Sequence, residues 1–227
     1  MLLFCYVLPP IPNYDRTSII KILRMSISTR QHTIVTSHGS LAVEESGQGS
    51  ISVLLIHGNS SCRGVFRHQL QGRLAQNHRL IAFDLPGHGQ SSNAPDPTQS
   101  YTRPGLADAA VELLGKLGVT EAIVFGWSLG GHIGIEMVPR FSGMRGLMVT
   151  GTPPVGRNNM AQGFKASPHI EVAGKQDLSK ADIEAFVQAI FGQSAEPFFV
   201  TPWPARTAVS ARGSSRPHAP EKALTSV

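Results

Sequence analysis

The sequence predicts an α/β fold with a doubly wound, mostly parallel sheet. Two observations lead to this prediction. Four short apolar runs are continuous rather than alternating, as in strands that are covered on both faces, and the segments between them show helical periodicity. Strands and helices that alternate in this way form parallel sheets through right-handed crossovers. The four runs are Val53–Ile56, Leu80–Phe83, Ala122–Phe125 and Leu147–Val149.

The remaining elements follow in order along the chain. Two strands are predicted around the turn Ser37–Ser40. A helix is predicted from apolar residues that recur every four positions, namely Phe66, Leu70 and Leu74. A longer helix is predicted from the apolar face formed by Leu106, Ala109, Ala110, Leu113, Leu114 and Leu117.

A last helix is predicted to begin after Ser179, which pairs with Asp182 three residues later as a cap. Its apolar residues, predicted to face inward, are Ile183, Phe186, Val187 and Ile190. This helix belongs either to a small cap over the edge of the sheet or to a connection packed on the core.

The domain organisation is predicted to be one core with two extensions. With 227 residues, of which 41% are hydrophobic, the chain is long enough to bury one core. We expect an N-terminal extension at 1–24 and a folded α/β core at 25–200, with a partial cap at about 152–200. A disordered-looking tail, poor in apolar periodicity, is expected at 201–227.

The basic charge of the chain lies in its two ends. Of the net charge of +5, residues 1–24 carry +2 and residues 201–227 carry +3, so that residues 25–200 are balanced. A basic face on the folded part is therefore not expected, which argues against nucleic-acid binding. The apolar start, Met1–Leu8, is too short to span a membrane and lacks a basic region before it.

Two cysteines, Cys5 and Cys62, cannot form a disulfide framework, which favours a reducing compartment and hence the cytoplasm. The sequence shows no metal-ligand cluster, phosphate loop or nucleotide fingerprint. We therefore expect neither a metal nor a cofactor.

The stretch "VFGWSLGGH" places Ser128 where a predicted strand turns into a helix. A sharp turn of this kind needs small neighbours, and Gly126 and Gly130 meet that need. The helix that follows directs backbone N–H groups towards the reacting atom. Ser128 is thus the candidate nucleophile, and the N–H of Leu129 is a candidate donor to a developing oxyanion.

Two further strand ends carry unusual residues. In "LLIHGNSS", His57 and Gly58 let the backbone bend so that the N–H of Asn59 becomes the second oxyanion donor, and His57 itself is read as structural. In "FDLPGHGQS", Asp84 is read as a structural residue that accepts N–H bonds within its turn.

Together the three motifs resemble the α/β-hydrolase family: H-G-x at 57–59, D-x-P-G-x-G-x-S at 84–91 and G-x-S-x-G-G at 126–131. The resemblance covers about residues 32–200. It implies a triad in the chain order Ser, acid, His, and hydrolysis of an ester, lactone, thioester or similar bond through an acyl-enzyme. Serine at 128, rather than aspartate, argues against the dehalogenase and epoxide-hydrolase branches. The haloperoxidase-like and carbon–carbon-bond-hydrolase branches stay open.

The triad partners of Ser128 are not found where the family places them. Three histidines follow it: His132 on the same helix, His169 at the entry to the cap, and His218 in the tail. The acids Glu171, Asp177 and Asp182 belong to the cap, and none ends a core strand.

We therefore expect a C-terminally incomplete hydrolase fold of six strands. Either the chain is a truncated or frameshifted product of doubtful activity, or it is a non-catalytic module that binds a ligand. The apolar residues of the cap favour an apolar acyl substrate.

Overall fold

A six-stranded mixed sheet forms the centre of the structure, with the strands in the order β1-β2-β4-β3-β5-β6. The structure is a computed structural model, and it describes residues 27–155, 160–163 and 179–194. The strands are β1 (Thr29–Thr36), β2 (Gly39–Ser46), β3 (Ser52–Ile56), β4 (Arg79–Phe83), β5 (Ala122–Trp127) and β6 (Met144–Thr150).

The predicted doubly wound arrangement is confirmed. Strands β4, β3, β5 and β6 are parallel to one another, and β1 and β2 form an antiparallel hairpin whose strand β2 pairs antiparallel with β4. All parallel strands therefore end at one edge of the sheet, which is where ligands bind in this architecture. Ser128, His57 and Asp84 each follow one of these strand ends directly.

Six α-helices are described: α1 (Arg67–Leu70), α2 (Leu74–Asn77), α3 (Pro97–Ser100), α4 (Arg103–Lys116), α5 (Leu129–Met137) and α6 (Lys180–Phe191). Short 3₁₀ turns occur at Arg63–Phe66, Met160–Gly163 and Gly192–Ser194. Of the helices in these described ranges, none has the length and apolar composition needed to cross a bilayer.

Helix α4 covers one face of the sheet, as its periodicity predicts. Leu106, Leu113 and Leu114 are fully buried, and they pack in one cluster with Leu54 and Val124 of the sheet. Helix α5 adds Ile133 and Met137 to the same cluster. The opposite face of the sheet is covered around Phe66 and Leu70.

The prediction of one helix through Phe66, Leu70 and Leu74 is wrong. Phe66 and Leu70 are buried, but Leu74 is 39% exposed and begins a separate short helix. Gly72 interrupts the segment, and its N–H bonds to the carbonyl of Gln69 in a tight turn. The apolar repeat continues across the turn that separates two short helices, and this is why periodicity alone overestimates the length of the helix.

Strand β6 also departs from its prediction, because it is not covered on both faces. Met148 is 63% exposed and Val149 is 42% exposed, while Leu147 packs against the core. Among the described residues β6 pairs with β5 alone, so it is an edge strand in this part of the chain. Burial of an apolar run depends on its neighbours, which the run itself does not encode.

The helix predicted after Ser179 is confirmed as α6, with the predicted capping box between Ser179 and Asp182. Val187 is buried on it, whereas Ile190, predicted to face inward, is 46% exposed. The predicted extension at 1–24 and the tail at 201–227 lie outside the described residues. So do 156–159, 164–178 and 195–200 of the predicted cap.

Candidate active site

Ser128 occupies the turn between β5 and α5 in a backbone conformation that non-glycine residues rarely adopt. Its φ is 55° and its ψ is −117°. Such a conformation costs about 1–3 kcal/mol and persists only when its surroundings impose it. The Ser128 N–H donates to the carbonyl of Thr150 at 2.8 Å, and its own carbonyl accepts from the N–H of Gly131 at 3.0 Å. The half-buried serine is therefore held firmly at the end of the strand.

The glycines around Ser128 let α5 pack directly onto backbone. A Cβ on Gly126 would collide with the carbonyl of Gly130, and a Cβ on Gly130 would collide with the carbonyl of Ile56. The start of α5 thus lies against the ends of both β5 and β3. Its free N–H groups, beginning with that of Leu129, are brought to the edge of the sheet where β3 ends.

The loop after β3 approaches Ser128 closely at Gly58. A Cβ on Gly58 would lie 3.1 Å from the Cβ of Ser128 and 3.3 Å from the ring of Trp127. Asn59 is the next residue along this loop. The two residues predicted as oxyanion donors, Asn59 and Leu129, therefore belong to segments that meet at Ser128.

His57 is fully buried beneath this loop, and its hydrogen bonds define its tautomer. Its Nδ1 lies 2.7 Å from the carbonyl of Gly58 and its Nε2 lies 3.0 Å from the N–H of Leu85. The amide can only donate, so Nε2 is the acceptor and Nδ1 carries the proton. His57 thus joins the loop after β3 to the loop after β4.

Burial keeps the His57 ring neutral. Desolvation first, and the neighbouring His88 second, lower the pKa of His57 from 6.5 to about 3. The two rings lie 5.3 Å apart, and burial also lowers the pKa of His88. A histidine whose two nitrogens are both engaged with backbone cannot take a proton from Ser128, which agrees with the structural role predicted for His57.

Asp84 is buried at the end of β4 and forms an ion pair with Arg63. Its carboxylate also accepts the backbone N–H groups of Arg63 and Gln90, each at 2.8 Å. Arg63 reaches Gln90 as well, at 2.6 Å from the side-chain carbonyl. Asp84 therefore lies in the predicted turn, but no sequence pattern indicated its ion pair with Arg63, which lies 21 residues earlier.

Cys62 lies next to this ion pair and is a free, buried thiol. Burial, assisted by the charge of Asp84, raises the pKa of Cys62 to about 12. The side chain accepts the N–H of Gly64 at 3.3 Å and so begins the 3₁₀ turn that carries Arg63. A thiol in this state is not a nucleophile near neutral pH.

The described residues assign no base to Ser128. His132 lies one turn along α5, and burial lowers its pKa. Asp182 accepts hydrogen bonds from the backbone N–H and the hydroxyl of Ser179 at the start of α6, so it caps this helix. The other histidines and acids considered, His169, His218, Glu171 and Asp177, lie outside the described residues. Within the described ranges, no group of three metal-ligating side chains comes together.

Thr152 is a second residue that sequence reasoning missed. Its hydroxyl lies 2.9 Å from the carbonyl of Ser128. It stands two residues beyond β6, in a segment without periodicity or motif, so only the three-dimensional structure brings it to the candidate nucleophile.

The fold, with Ser128 at the sharp turn between β5 and α5, is that of an α/β hydrolase. A model of the "Alpha/beta hydrolase family" matches residues 53–225, and the chain belongs to this family. The match extends into the segment 201–227, for which the domain boundaries given above stay predictions.

Among curated proteins, the chain is similar to a pimeloyl-[acyl-carrier protein] methyl ester esterase from Nitrosospira multiformis. The two are 36% identical over 101 residues, which are 44% of this chain and 37% of the esterase. It is also similar to the AB hydrolase superfamily protein YisY of Bacillus subtilis, with 32% identity over 113 residues, 49% of this chain and 41% of YisY. The chain thus covers well under half of these relatives.

Among solved structures, the chain is similar to the N-acyl homoserine lactonase AidH complexed with N-butanoyl homoserine. The TM-score is 0.72 with 48% identity, over 75% of this chain and 62% of the lactonase chain. A mutant of the same lactonase, complexed with N-hexanoyl homoserine, gives a TM-score of 0.73 with 47% identity, over 76% and 63% of the two chains.

Proposed function

We propose that this chain carries the nucleophile of a serine hydrolase that cleaves carboxylic ester or lactone bonds. The observation that carries the proposal is the position of Ser128, held at a strained turn between strand and helix at the ligand-binding edge of the sheet. Membership of the α/β-hydrolase family supports it, as do the esterase and lactonase among the similar proteins.

In the proposed reaction, the Oγ of Ser128 attacks the carbonyl carbon of the substrate. The N–H groups of Asn59 and Leu129 stabilise the charge that develops on the carbonyl oxygen. The bond to the alcohol oxygen then breaks, the alcohol leaves with the proton of the serine, and an acyl-enzyme remains. Water hydrolyses the acyl-enzyme, so that one water is consumed for each bond cleaved. From a lactone, the product is one ring-opened hydroxy acid.

We propose an apolar acyl compound as the substrate, with N-acyl homoserine lactones as the first class to test. The 47–48% identical solved neighbours are lactonases of this class. The rings of Trp127, beside Ser128, and Phe191 of α6 lie 6.0 Å apart. They supply apolar surface near the nucleophile, which suits an acyl chain better than a charged group. We place the reaction in the cytoplasm, in keeping with the free thiol of Cys62.

A second candidate function is a non-catalytic module that binds such a ligand without cleaving it. The observation in its favour is that no described histidine is placed to take the proton of Ser128. His57 is bound to backbone through both nitrogens.

Titration of the acid released from N-butanoyl and N-hexanoyl homoserine lactone at constant pH separates the two functions. The hydrolase releases one acid for each lactone, and Ser128→Ala abolishes the release, whereas Ser50→Ala, an exposed loop serine, does not. The binding module releases none, but calorimetry still detects ligand binding. Release that is equal in Ser128→Ala and the parent chain would refute the proposed nucleophile.

A further inference from the structure

The peptide group that joins Ser128 to Leu129 is held from the segment after β6. The carbonyl of Ser128 accepts three hydrogen bonds: from the N–H groups of Gly131 at 3.0 Å and His132 at 3.4 Å, and from the hydroxyl of Thr152 at 2.9 Å. The two N–H bonds are local bonds within the start of α5. The bond from Thr152 comes from a different part of the chain, 24 residues away.

The position of Thr152 is fixed by close packing against α5. A Cβ on Gly131 would collide with the Thr152 side chain, so that the side chain lies directly against the first turn of the helix. The hydroxyl has one proton. The carbonyl of Ser128 is its nearer acceptor, since the alternative, the carbonyl of Thr150, lies at 3.2 Å. Thr150 in turn accepts the N–H of Ser128.

A peptide group is planar and trans, so its carbonyl and its N–H point in opposite directions. The carbonyl of Ser128 and the N–H of Leu129 belong to one such group. A hydrogen bond that fixes the direction of the carbonyl therefore fixes the direction of the N–H on its other side. In the proposed reaction, the N–H of Leu129 is one of the two donors to the oxyanion.

We propose that Thr152 is a positioning residue, whose hydroxyl orients the N–H of Leu129 by holding the carbonyl of Ser128 on the far side of the same peptide plane. The inference deepens the proposed function and rests on it for its catalytic meaning. The rarely adopted conformation of Ser128, with φ of 55° and ψ of −117°, persists only when its surroundings impose it, and the hydroxyl of Thr152 is one of the contacts that do so.

Thr152→Val and Thr152→Ser form a matched pair that tests this role. Valine has the shape of threonine without the hydroxyl, while serine keeps the hydroxyl. An oxyanion donor acts in the transition state, so Thr152→Val is expected to lower kcat with KM unchanged. The expected decrease is about tenfold, because losing a whole donor lowers kcat by about 10²–10³-fold. Thr152→Ser, which keeps the hydroxyl, is expected to have the kcat of the parent chain.

A second readout does not depend on turnover. In protein labelled with [15N]leucine, the amide cross-peak of Leu129, assigned by its loss in Leu129→Met, is expected to shift in Thr152→Val and to stay in place in Thr152→Ser. A cross-peak that Thr152→Val leaves unmoved would overturn the inference. A kcat that is as low in Thr152→Ser as in Thr152→Val would overturn it as well. If the parent chain cleaves no substrate, the proposed function fails, and the cross-peak still decides whether Thr152 orients this peptide.

Discussion

The buried, neutral His57 predicts that the fold loses stability as the pH falls from 7.5 to 5.5. Its pKa is about 3 in the folded chain and 6.5 in its ordinary state. Between these values the unfolded chain binds a proton that the folded chain does not. Stability that is fully present above pH 6.5 is therefore lost as the pH falls towards 3.

The size of the effect follows from the linkage relation. At pH 5.5, one unit below the ordinary pKa, the free energy of unfolding falls by about 1.4 kcal/mol because of His57 alone. At pH 7.5 the corresponding loss is below about 0.1 kcal/mol. His88, whose pKa is also lowered by burial, adds a loss of the same sign.

Urea unfolding at pH 7.5, 6.5 and 5.5 measures this difference. His57→Gln has no titrating ring at this position, so its stability is expected to fall by about 1.4 kcal/mol less than that of the parent chain over the same range. Gln69→Ala, at an exposed position on α1, changes no titrating group; it is the control and is expected to keep the parent slope. A parent-like slope in His57→Gln would refute the buried, neutral assignment of this ring.

Three further predictions concern the surroundings of the site. Arg63→Met leaves the buried carboxylate of Asp84 without its cation, and is expected to lower the free energy of unfolding by about 3–5 kcal/mol in urea titrations. Gly58→Ala places a methyl group 3.1 Å from the Cβ of Ser128, and is expected to slow acylation about tenfold at unchanged secondary structure, measured by stopped-flow with an activated ester. Cys62, with a pKa of about 12, is expected to resist iodoacetamide at pH 8 in the folded chain and to react in urea, measured by peptide mass.

Each of these predictions has a result that contradicts it. A loss below about 1 kcal/mol in Arg63→Met would mean that the ion pair is exposed to solvent in solution. Acylation of Gly58→Ala at the parent rate would mean that the loop after β3 does not approach Ser128. Alkylation of Cys62 in the folded chain at the rate seen in urea would show that the thiol is accessible.

The centre of the sheet and the turn at Ser128 could be predicted because their signals are local. Continuous apolar runs mark β3, β4 and β5, and Gly126 and Gly130 mark a turn where backbone meets backbone. The capping box at Ser179 is likewise encoded within four residues.

Features that depend on distant segments could not be predicted in this way. The exposure of Met148 follows from what lies beside β6, and the ion pair of Arg63 with Asp84 joins loops that no periodicity relates. Thr152 meets Ser128 only because β6 pairs in parallel with β5 and brings the two strand ends together. A pattern within one segment carries no information about such contacts.

Labelling with a fluorophosphonate tests most directly whether Ser128 is a nucleophile, because this probe reacts with activated serines and not with ordinary ones. The purified chain is incubated with the probe beside Ser128→Ala and Ser50→Ala, and the intact masses are compared. We expect one label per chain in the parent and in Ser50→Ala, and none in Ser128→Ala. A folded parent chain that takes up no label, or a Ser128→Ala variant that takes up as much as the parent, would contradict the account.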